Sequence, residues 1–410
     1  MSLPLDGIKV VSLTHYLQGP SCVQFLADLG ADVVKVERLG GSYERHWSGA
    51  DAYVGDDHAS VFFLLAGRNQ RSIELDYRSA EGAKVLWRLL ERADVLVENF
   101  RPGTLDKHGF SYAAVKARNP GIVYASLSGY GSDGPARTRP GQDLLLQSLS
   151  GMATLSGRAG DPPVLFGTAI VDEHAAALGA LAIVASLLGR TRDGKGKRVD
   201  SNLLSAALDL QLEPLSIHLN GSHLYAKSAS GISSRFHQAP YGVFKTSDGW
   251  LTLSLADGPT LAKAFDDPAF ANWSKPDQFT HREDVNRRVA AHMLKKTTAA
   301  WQAQLESRGM WCAKVRDYDE VLADPQLAIN QSILEFDDEH TGHVRLVAHP
   351  VRYDGKVPPL RLKPPRAGQH TDEVLRELGY SNAEMGAMHA AGVVGGAEPN
   401  ARSASESRTP

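Results

Sequence analysis

Residues 166–208, FGTAIVDEHAAALGALAIVASLLGRTRDGKGKRVDSNLLSAAL, decide how the rest of the chain is read. A run of small and apolar residues follows Asp172-Glu173-His174 and stops at Gly189-Arg190. The pattern predicts a helix that starts at Asp172, with a strand over residues 199–208. The unpaired first-turn N–H groups and the positive end of the helix dipole favour an acid at such a start, so Asp172 is expected to stay ionised and aimed. An ordinary capping aspartate sits at the same place. Residues 175–189 fall short of the roughly 20 needed to cross a bilayer and read as a buried helix.

The 410 residues suffice for two or three domains with a sizeable core, and 42% apolar with 22% charged residues is the composition of a globular enzyme. A formal charge of -3 gives no basic excess for nucleic acid or a membrane surface. Cys22 and Cys312 lie far apart in apolar surroundings and read as reduced, buried thiols of a cytoplasmic protein, neither a disulfide nor a zinc site. The N-terminus lacks the basic stretch and apolar run of a signal peptide, and the fold is expected to begin at Leu5.

From the N-terminus, residues 7–13 form a β-branched run. A loop at 14–20, a helix through Leu26 and a strand at 31–37 follow, which makes a βαβ unit. Strands at 71–75, 94–98 and 122–127 alternate with helices at 81–93 and 112–118, so the N-terminal half reads as a doubly wound parallel layer. Such sheets bind ligands beyond the carboxyl ends of their strands, here the loops 14–20, 38–45, 99–109 and 128–140. The first loop, Thr14-His15-Tyr16-Leu17-Gln18-Gly19-Pro20, has no dinucleotide glycine fingerprint, which speaks against a dehydrogenase even though Glu37 could pass for a ribose-binding acid. Arg38, Arg68, Arg71, Arg101, Lys107, Arg137 and Arg139 fall in or near these loops, as expected for a phosphate-bearing ligand other than NAD or for a solvated rim.

The chain becomes irregular at Gly221-Ser222 and Ser228-Ala229-Ser230-Gly231, a hinge signal. Two strands around a Ser247-Asp248-Gly249 turn and helices at 261–265, 282–294 and 298–308 then suggest a small α+β domain. Residues 343–348 are strand-like and 370–378 helical. The domains expected are 1–210 for the N-terminal part of a large Rossmann-like domain, 211–230 for a linker, 231–330 for the small domain, 331–394 for a return to the large domain and 395–410 for a disordered tail rich in Gly, Ala and Ser. No internal repeat is visible.

Ordered motifs then carry a resemblance. They are Pro4-Leu5-Asp6-Gly7-Ile8-Lys9-Val10-Val11, Gly19-Pro20, Ala27-Asp28-Leu29-Gly30-Ala31-Asp32-Val33-Val34-Lys35-Val36-Glu37-Arg38, Arg71-Ser72-Ile73-Glu74-Leu75-Asp76 and Asp94-Val95-Leu96-Val97-Glu98-Asn99-Phe100-Arg101-Pro102-Gly103. Ser128-Gly129-Tyr130-Gly131, residues 191–199, Asp324-Pro325-Gln326 and Gly368-Gln369-His370-Thr371-Asp372-Glu373-Val374-Leu375 complete the set. In combination and order, from Pro4 to about Val394, the chain resembles the class III CoA-transferases, the formyl-CoA transferase or CaiB/BaiF family.

That resemblance implies a two-domain α/β subunit whose C-terminal segment completes the large domain, and two subunits interlocked as a homodimer. The active site is implied to lie between the domains at the dimer interface. It also implies transfer of CoA between carboxylic acids through an aspartyl mixed anhydride and an aspartyl-CoA thioester, with Asp172 as nucleophile. Coenzyme A is then a substrate, and no permanent cofactor or metal is called for. Arg38 and Lys107 match phosphate-binding positions and Asn99 and Phe100 those near the adenine or pantetheine, with Arg71 and Arg101 as further phosphate contacts. Loops near Tyr130 or over 233–238 are candidates for oxyanion donors.

Two departures bear on substrate. Leu17 stands at a glutamine position of the formyl-CoA enzyme, with Gln18 beside it, and Ile232-Ser233-Ser234-Arg235-Phe236-His237-Gln238 replaces the oxalate enzyme's glycine-rich loop. Arg235 and His237 are therefore candidates for recognising the second acidic group of a dicarboxylate, with succinyl-CoA as donor, or are ordinary loop residues. The α-methylacyl-CoA racemases of the same family carry Gly-His-Asp where this chain has Gly141-Gln142-Asp143, so their acid–base pair lacks its histidine here and Asp143 reads as structural. A non-catalytic CoA-binding scaffold is the remaining alternative.

Overall fold

The β-branched runs Lys9–Leu13, Asp32–Glu37, Gln70–Leu75, Val95–Glu98 and Val123–Ser128 form parallel strands with Arg198–Asn202 in one sheet, seen in a computed structural model that describes residues 2–396. Strand order is Gln70–Leu75, Asp32–Glu37, Lys9–Leu13, Val95–Glu98, Val123–Ser128, Arg198–Asn202. Val394–Gly395 adds a short antiparallel strand beside Gln70–Leu75. This is the doubly wound arrangement in which order reverses beside the first strand. Both faces are covered, which explains the nearly unbroken apolar runs. Val11, Val34 and Ile73 pack with Val85, Leu86, Leu89 and Leu90 of the helix Ala80–Arg92. On the other face, Val10, Val33 and Val97 meet Cys22 and Leu26 of the helix Gln18–Asp28 and Ala176 and Ile183 of the helix Ile170–Asp193.

That last helix differs from its sequence reading at both ends. It begins before Asp172 and runs for 24 residues, past Gly189. The stop is Gly194, whose φ of 69° is the left-handed conformation that closes a helix and whose N–H donates to the Arg190 carbonyl at 2.8 Å. By length and composition the helix could cross a membrane, yet Val171, Ala175, Ala176, Gly179 and Ile183 are buried in the protein. Gly179 is needed for this packing, since a Cβ there would stand 3.2 Å from Cys22 Sγ and from Leu127 Cδ2. The strand read over 199–208 ends at Asn202. There the Asn202 side chain accepts the Ser205 N–H at 2.8 Å and starts the helix Leu203–Asp209, built from strong helix formers.

The chain divides into two compact units, one of residues 1–143, 170–206 and 326 onward, the other of 144–169 and 207–325. Residues 144–169, read as part of the large domain, belong to the second unit, and the supposed linker contains the helix Leu212–Leu219. An insertion of this kind leaves no mark in local periodicity. In the second unit Trp250–Leu253 pairs antiparallel with Gly242–Lys245 and with Cys312–Lys314. Phe244, Leu251 and Leu253 on one face pack against Leu261, Phe265, Val289 and Trp301.

In the first unit the hairpin Ile333–Asp338 with Gly342–Val347 packs Val344 and Leu346 on Phe63 and Leu64. A disordered tail is expected from residue 395, but Gly395 is paired with Glu74 in a strand; the rest of that expectation falls on 397–410, outside the described residues. Cys22 is fully buried and Cys312 only half-buried, and both are free thiols.

Glu37 is buried and every side of its carboxylate is used. Arg45 donates through Nε and Nη2, both at 2.7 Å, Ser42 through its N–H at 2.9 Å and its hydroxyl at 2.7 Å, and Ser72 at 2.6 Å. Burial alone would raise its pKa, but Arg45, Lys35 and Ser72 hold the carboxyl well below the usual range. Glu37 is thus a structural anion, unavailable to a ribose. Removing one partner of such a pair leaves a buried charge uncompensated, so Arg45→Ala should cost about 3–5 kcal/mol in urea unfolding at pH 7. A depressed carboxyl pKa contributes stability that is lost on acidification, so this difference should shrink as pH falls below about 4; a pH-independent cost below 1 kcal/mol would contradict the assignment.

Candidate active site

Strand order reverses between Lys9–Leu13 and Val95–Glu98, so the loops leaving these two strands diverge and open a crevice. They are clamped at their roots. The His15 N–H donates to Asn99 Oδ1 at 2.9 Å, and Asn99 Nδ2 returns a hydrogen bond to the His15 carbonyl at 2.8 Å. The Phe100 ring lies 5.2 Å from the His15 ring. Below them, the buried Lys35 ammonium donates to the Thr14 carbonyl at 2.9 Å and to Glu44 at 2.8 Å, while Glu44 accepts the Tyr16 N–H at 3.3 Å. Gly19 lets the first helix begin this close, since a Cβ there would sit 2.7 Å from Thr14 Cβ and 2.9 Å from Asn99 Cγ. Burial lowers the His15 pKa to about 4, with Glu44 raising it and Lys35 lowering it, so the imidazole is neutral at physiological pH.

Gln18, the first residue of that helix, is buried, and its Nε2 has no hydrogen-bond partner among the described residues. One turn further, Ser21 Oγ donates to Glu173 at 3.2 Å and ties this helix start to the first turn of Ile170–Asp193. Asp172 stands in that turn, but it is not the cap. The buried Asp143 carboxylate takes that role from a distant stretch of sequence, its Oδ2 accepting the N–H of Val171 at 2.7 Å and of Asp172 at 3.0 Å. Asp172 is left half-buried beside two like charges. Burial first, then Asp143 and Glu173, raise its pKa to about 7. The sequence reading held it ionised by the helix dipole; Asp143 occupies the donors that would have done so.

The other candidates fall into groups. Arg38 is exposed and donates through Nε to the Gly41 carbonyl at 2.9 Å. Lys107 is exposed at the end of the short helix Thr104–Lys107. Tyr130 is half-buried, its hydroxyl 3.5 Å from the Pro140 carbonyl. Arg101 and Arg137 line a polar cavity of about 160 Å³ over Glu98, Tyr124 and Ser126. Glu98 is a feature the sequence reading missed: burial raises its pKa to about 7, with Ser126 and the Phe100 N–H opposing.

Arg71 must be withdrawn as a phosphate contact. It lies at the start of its strand, opposite Val34, on the sheet edge away from the loops. There it pairs with Asp32 at 2.8 Å, Glu373 at 2.9 Å and Glu377 at 2.8 Å. Arg68 is likewise committed to Asp28 at 2.6 Å.

In the second unit, Arg235 Nε donates to the Tyr225 carbonyl at 2.7 Å. His237 stacks on Tyr241 with ring centroids 4.5 Å apart, and its two nitrogens face Ser234 and Glu213. Among the described residues no His, Cys, Asp and Glu cluster suits a metal.

With this geometry in hand, comparison with known proteins is decisive at the family level. The profile of CoA-transferase family III matches residues 5–371. This chain belongs to CoA-transferase family III. Among its relatives, an acyl-CoA transferase of Fusarium pseudograminearum is 34% identical, over 92% of this chain and 85% of its own. The human succinyl-CoA:glutarate CoA-transferase is 31% identical, over 95% of this chain and 90% of its own. A crystal structure of a CaiB/BaiF family protein from Brucella suis superposes with a TM-score of 0.79 at 28% identity, covering 92% of this chain and all of that one.

The raised carboxyl has a consequence for stability. Asp172 favours the folded state when protonated and opposes it when ionised, so its penalty is absent below about pH 4 and grows until pH passes about 7. Asp172→Asn should therefore raise stability at pH 8 by up to about 4 kcal/mol and leave it unchanged at pH 4. Equal thermal shifts at both pH values would contradict the assigned environment.

Proposed function

We propose that this protein moves CoA from an acyl-CoA donor to a carboxylic acid acceptor, with Asp172 as the covalent nucleophile. The observation that carries this reading is the Asp172 carboxyl itself. In a family III chain it stands in the first turn of a long helix, half-buried, with no cation paired to it among the described residues and a proton affinity near neutrality. Once ionised, such an oxygen is poorly stabilised and correspondingly nucleophilic.

Asp172 attacks the thioester carbonyl carbon, the C–S bond breaks, and a mixed anhydride and the CoA thiolate result. The thiolate attacks the Asp172 carbonyl, which releases the donor acid and leaves an aspartyl-CoA thioester. The acceptor carboxylate then displaces the thiolate, and the thiolate takes the acceptor acyl group from the second anhydride and restores Asp172. Each step exchanges one anion for another, so no net proton moves. Water must be kept out because both kinds of intermediate hydrolyse.

Arg38 and Lys107 are assigned to the CoA phosphates, with Arg101 as a further contact. Asn99 and Phe100 are assigned to the adenine or pantetheine, and Gln18 and Tyr130 to the same ligand. The crevice at the strand reversal supports these placements. Succinyl-CoA is the proposed donor: the human relative is named for it, and Arg235 and His237 offer groups suited to a second carboxylate. The proposed setting is the cytoplasm, where the free thiols of Cys22 and Cys312 stay reduced.

The chain is further proposed to act as an interlocked homodimer. Support comes from large apolar side chains left in solvent, Leu181 and Leu188 at 65% exposure on the helix Ile170–Asp193, and Leu212 and Leu219 in the second unit.

Two experiments follow. Succinyl-CoA and a panel of carboxylic acids should give thioester exchange, hydroxylamine should displace the bound group and leave Asp172 as its hydroxamate, read by mass spectrometry, and Asp172→Ala should lower kcat by about three orders of magnitude or more. Undiminished turnover in that variant would remove the assignment. In sedimentation, Leu181→Asp combined with Leu188→Asp should turn a dimer into monomers; a wild-type monomer would refute the dimer.

A further inference from the structure

Asp143 has no part in the chemistry as written, yet it is buried at the start of the helix that carries the nucleophile. One of its oxygens takes two of the first-turn N–H groups of that helix, those of Val171 and Asp172. The groups that act on Asp172 electrostatically are Asp143 and the adjacent Glu173, and Glu173 is itself held by Ser21 of the helix Gln18–Asp28.

We propose that Asp143 is a positioning residue for the transferase reaction: by capping the helix with a full negative charge, it fixes the first turn and denies Asp172 the backbone donors that would stabilise its carboxylate. This rests on Asp172 being the nucleophile. A neutral cap would hold the turn equally well, because an amide oxygen also has two acceptor lone pairs. The charge therefore has a separate effect, which is to keep the neighbouring carboxylate basic and reactive. Two acids so close to one helix start compete for its few unpaired N–H groups. The buried one takes the donors, and the other keeps its electron pair for the substrate.

The test separates geometry from charge. Asp143→Asn keeps the acceptor and removes the charge; Asp143→Ala removes both. Carboxyl-carbon NMR of ¹³C-aspartate-labelled protein, with the Asp172 signal assigned by its loss in Asp172→Asn, should show Asp172 titrating about one pH unit lower in Asp143→Asn than in the wild type. The acidic limb of the kcat profile should move in the same direction, with KM for the acyl-CoA little changed. Asp143→Ala should lower kcat tenfold or more, and Asp143→Asn should recover most of that loss at the plateau without restoring the pH position. An unchanged Asp172 titration in Asp143→Asn would overturn the proposal, as would equal kcat losses in both variants with no movement of the profile. The NMR reading requires no turnover, so a wild type that transfers no CoA would refute the proposed reaction while the coupling of the two acids was still decided.

Discussion

Where the strand order of a parallel sheet reverses, the loops leaving two adjacent strands turn away from each other, and the backbone at that point has lost its neighbours on one side. In this protein the gap lies between Lys9–Leu13 and Val95–Glu98, and the reciprocal hydrogen bonds of His15 and Asn99 hold its two walls at a set distance. The Lys35–Glu44 pair supports one wall from within the sheet, and Gly19 lets the first helix start against it. Through Ser21 and Glu173 that helix registers the turn bearing Asp172. The placement of the proposed nucleophile thus descends from sheet topology through a short chain of hydrogen bonds.

Competition among acids for one helix start shapes the electrostatics. Three carboxylates, Asp143, Asp172 and Glu173, share the region, and they meet different fates. Asp143 is satisfied by backbone donors and Glu173 by a hydroxyl, while Asp172 receives only their charge and the cost of burial. Elsewhere the protein treats buried acids quite differently. Glu37 is matched by a bidentate arginine and two hydroxyls, and Asp28 by Arg68 and Asn69. The contrast separates acids that hold the fold together from the proposed nucleophile, which no donor or cation matches among the described residues.

The parallel layer was legible because its runs, such as residues 94–98 and 122–127, are apolar on both faces and bounded by turn residues. The family was legible from ordered motifs. The capping by Asp143 was not, since it lies 28 and 29 positions before the two residues it caps and only the folded chain brings them together. Nor was the fate of Arg71: its pairing with Glu373 and Glu377 spans about three hundred residues. Residues 144–169 joined the wrong domain because an excursion into a second unit and back needs no special composition. The strand at 199–208 was overextended because Asn202, which ends it, acts as a cap only once Ser205 folds back on it.

The short strand Val394–Gly395 carries one more implication. It pairs with Leu75 and Glu74, so the edge of the main sheet laid down by the first fifth of the chain is finished by its last described residues. During synthesis, Glu74 and Leu75 must wait with their outer backbone groups unpaired until residues 394 and 395 have emerged, about 320 residues later. For that interval they are an open template to which a neighbouring chain's strand could add.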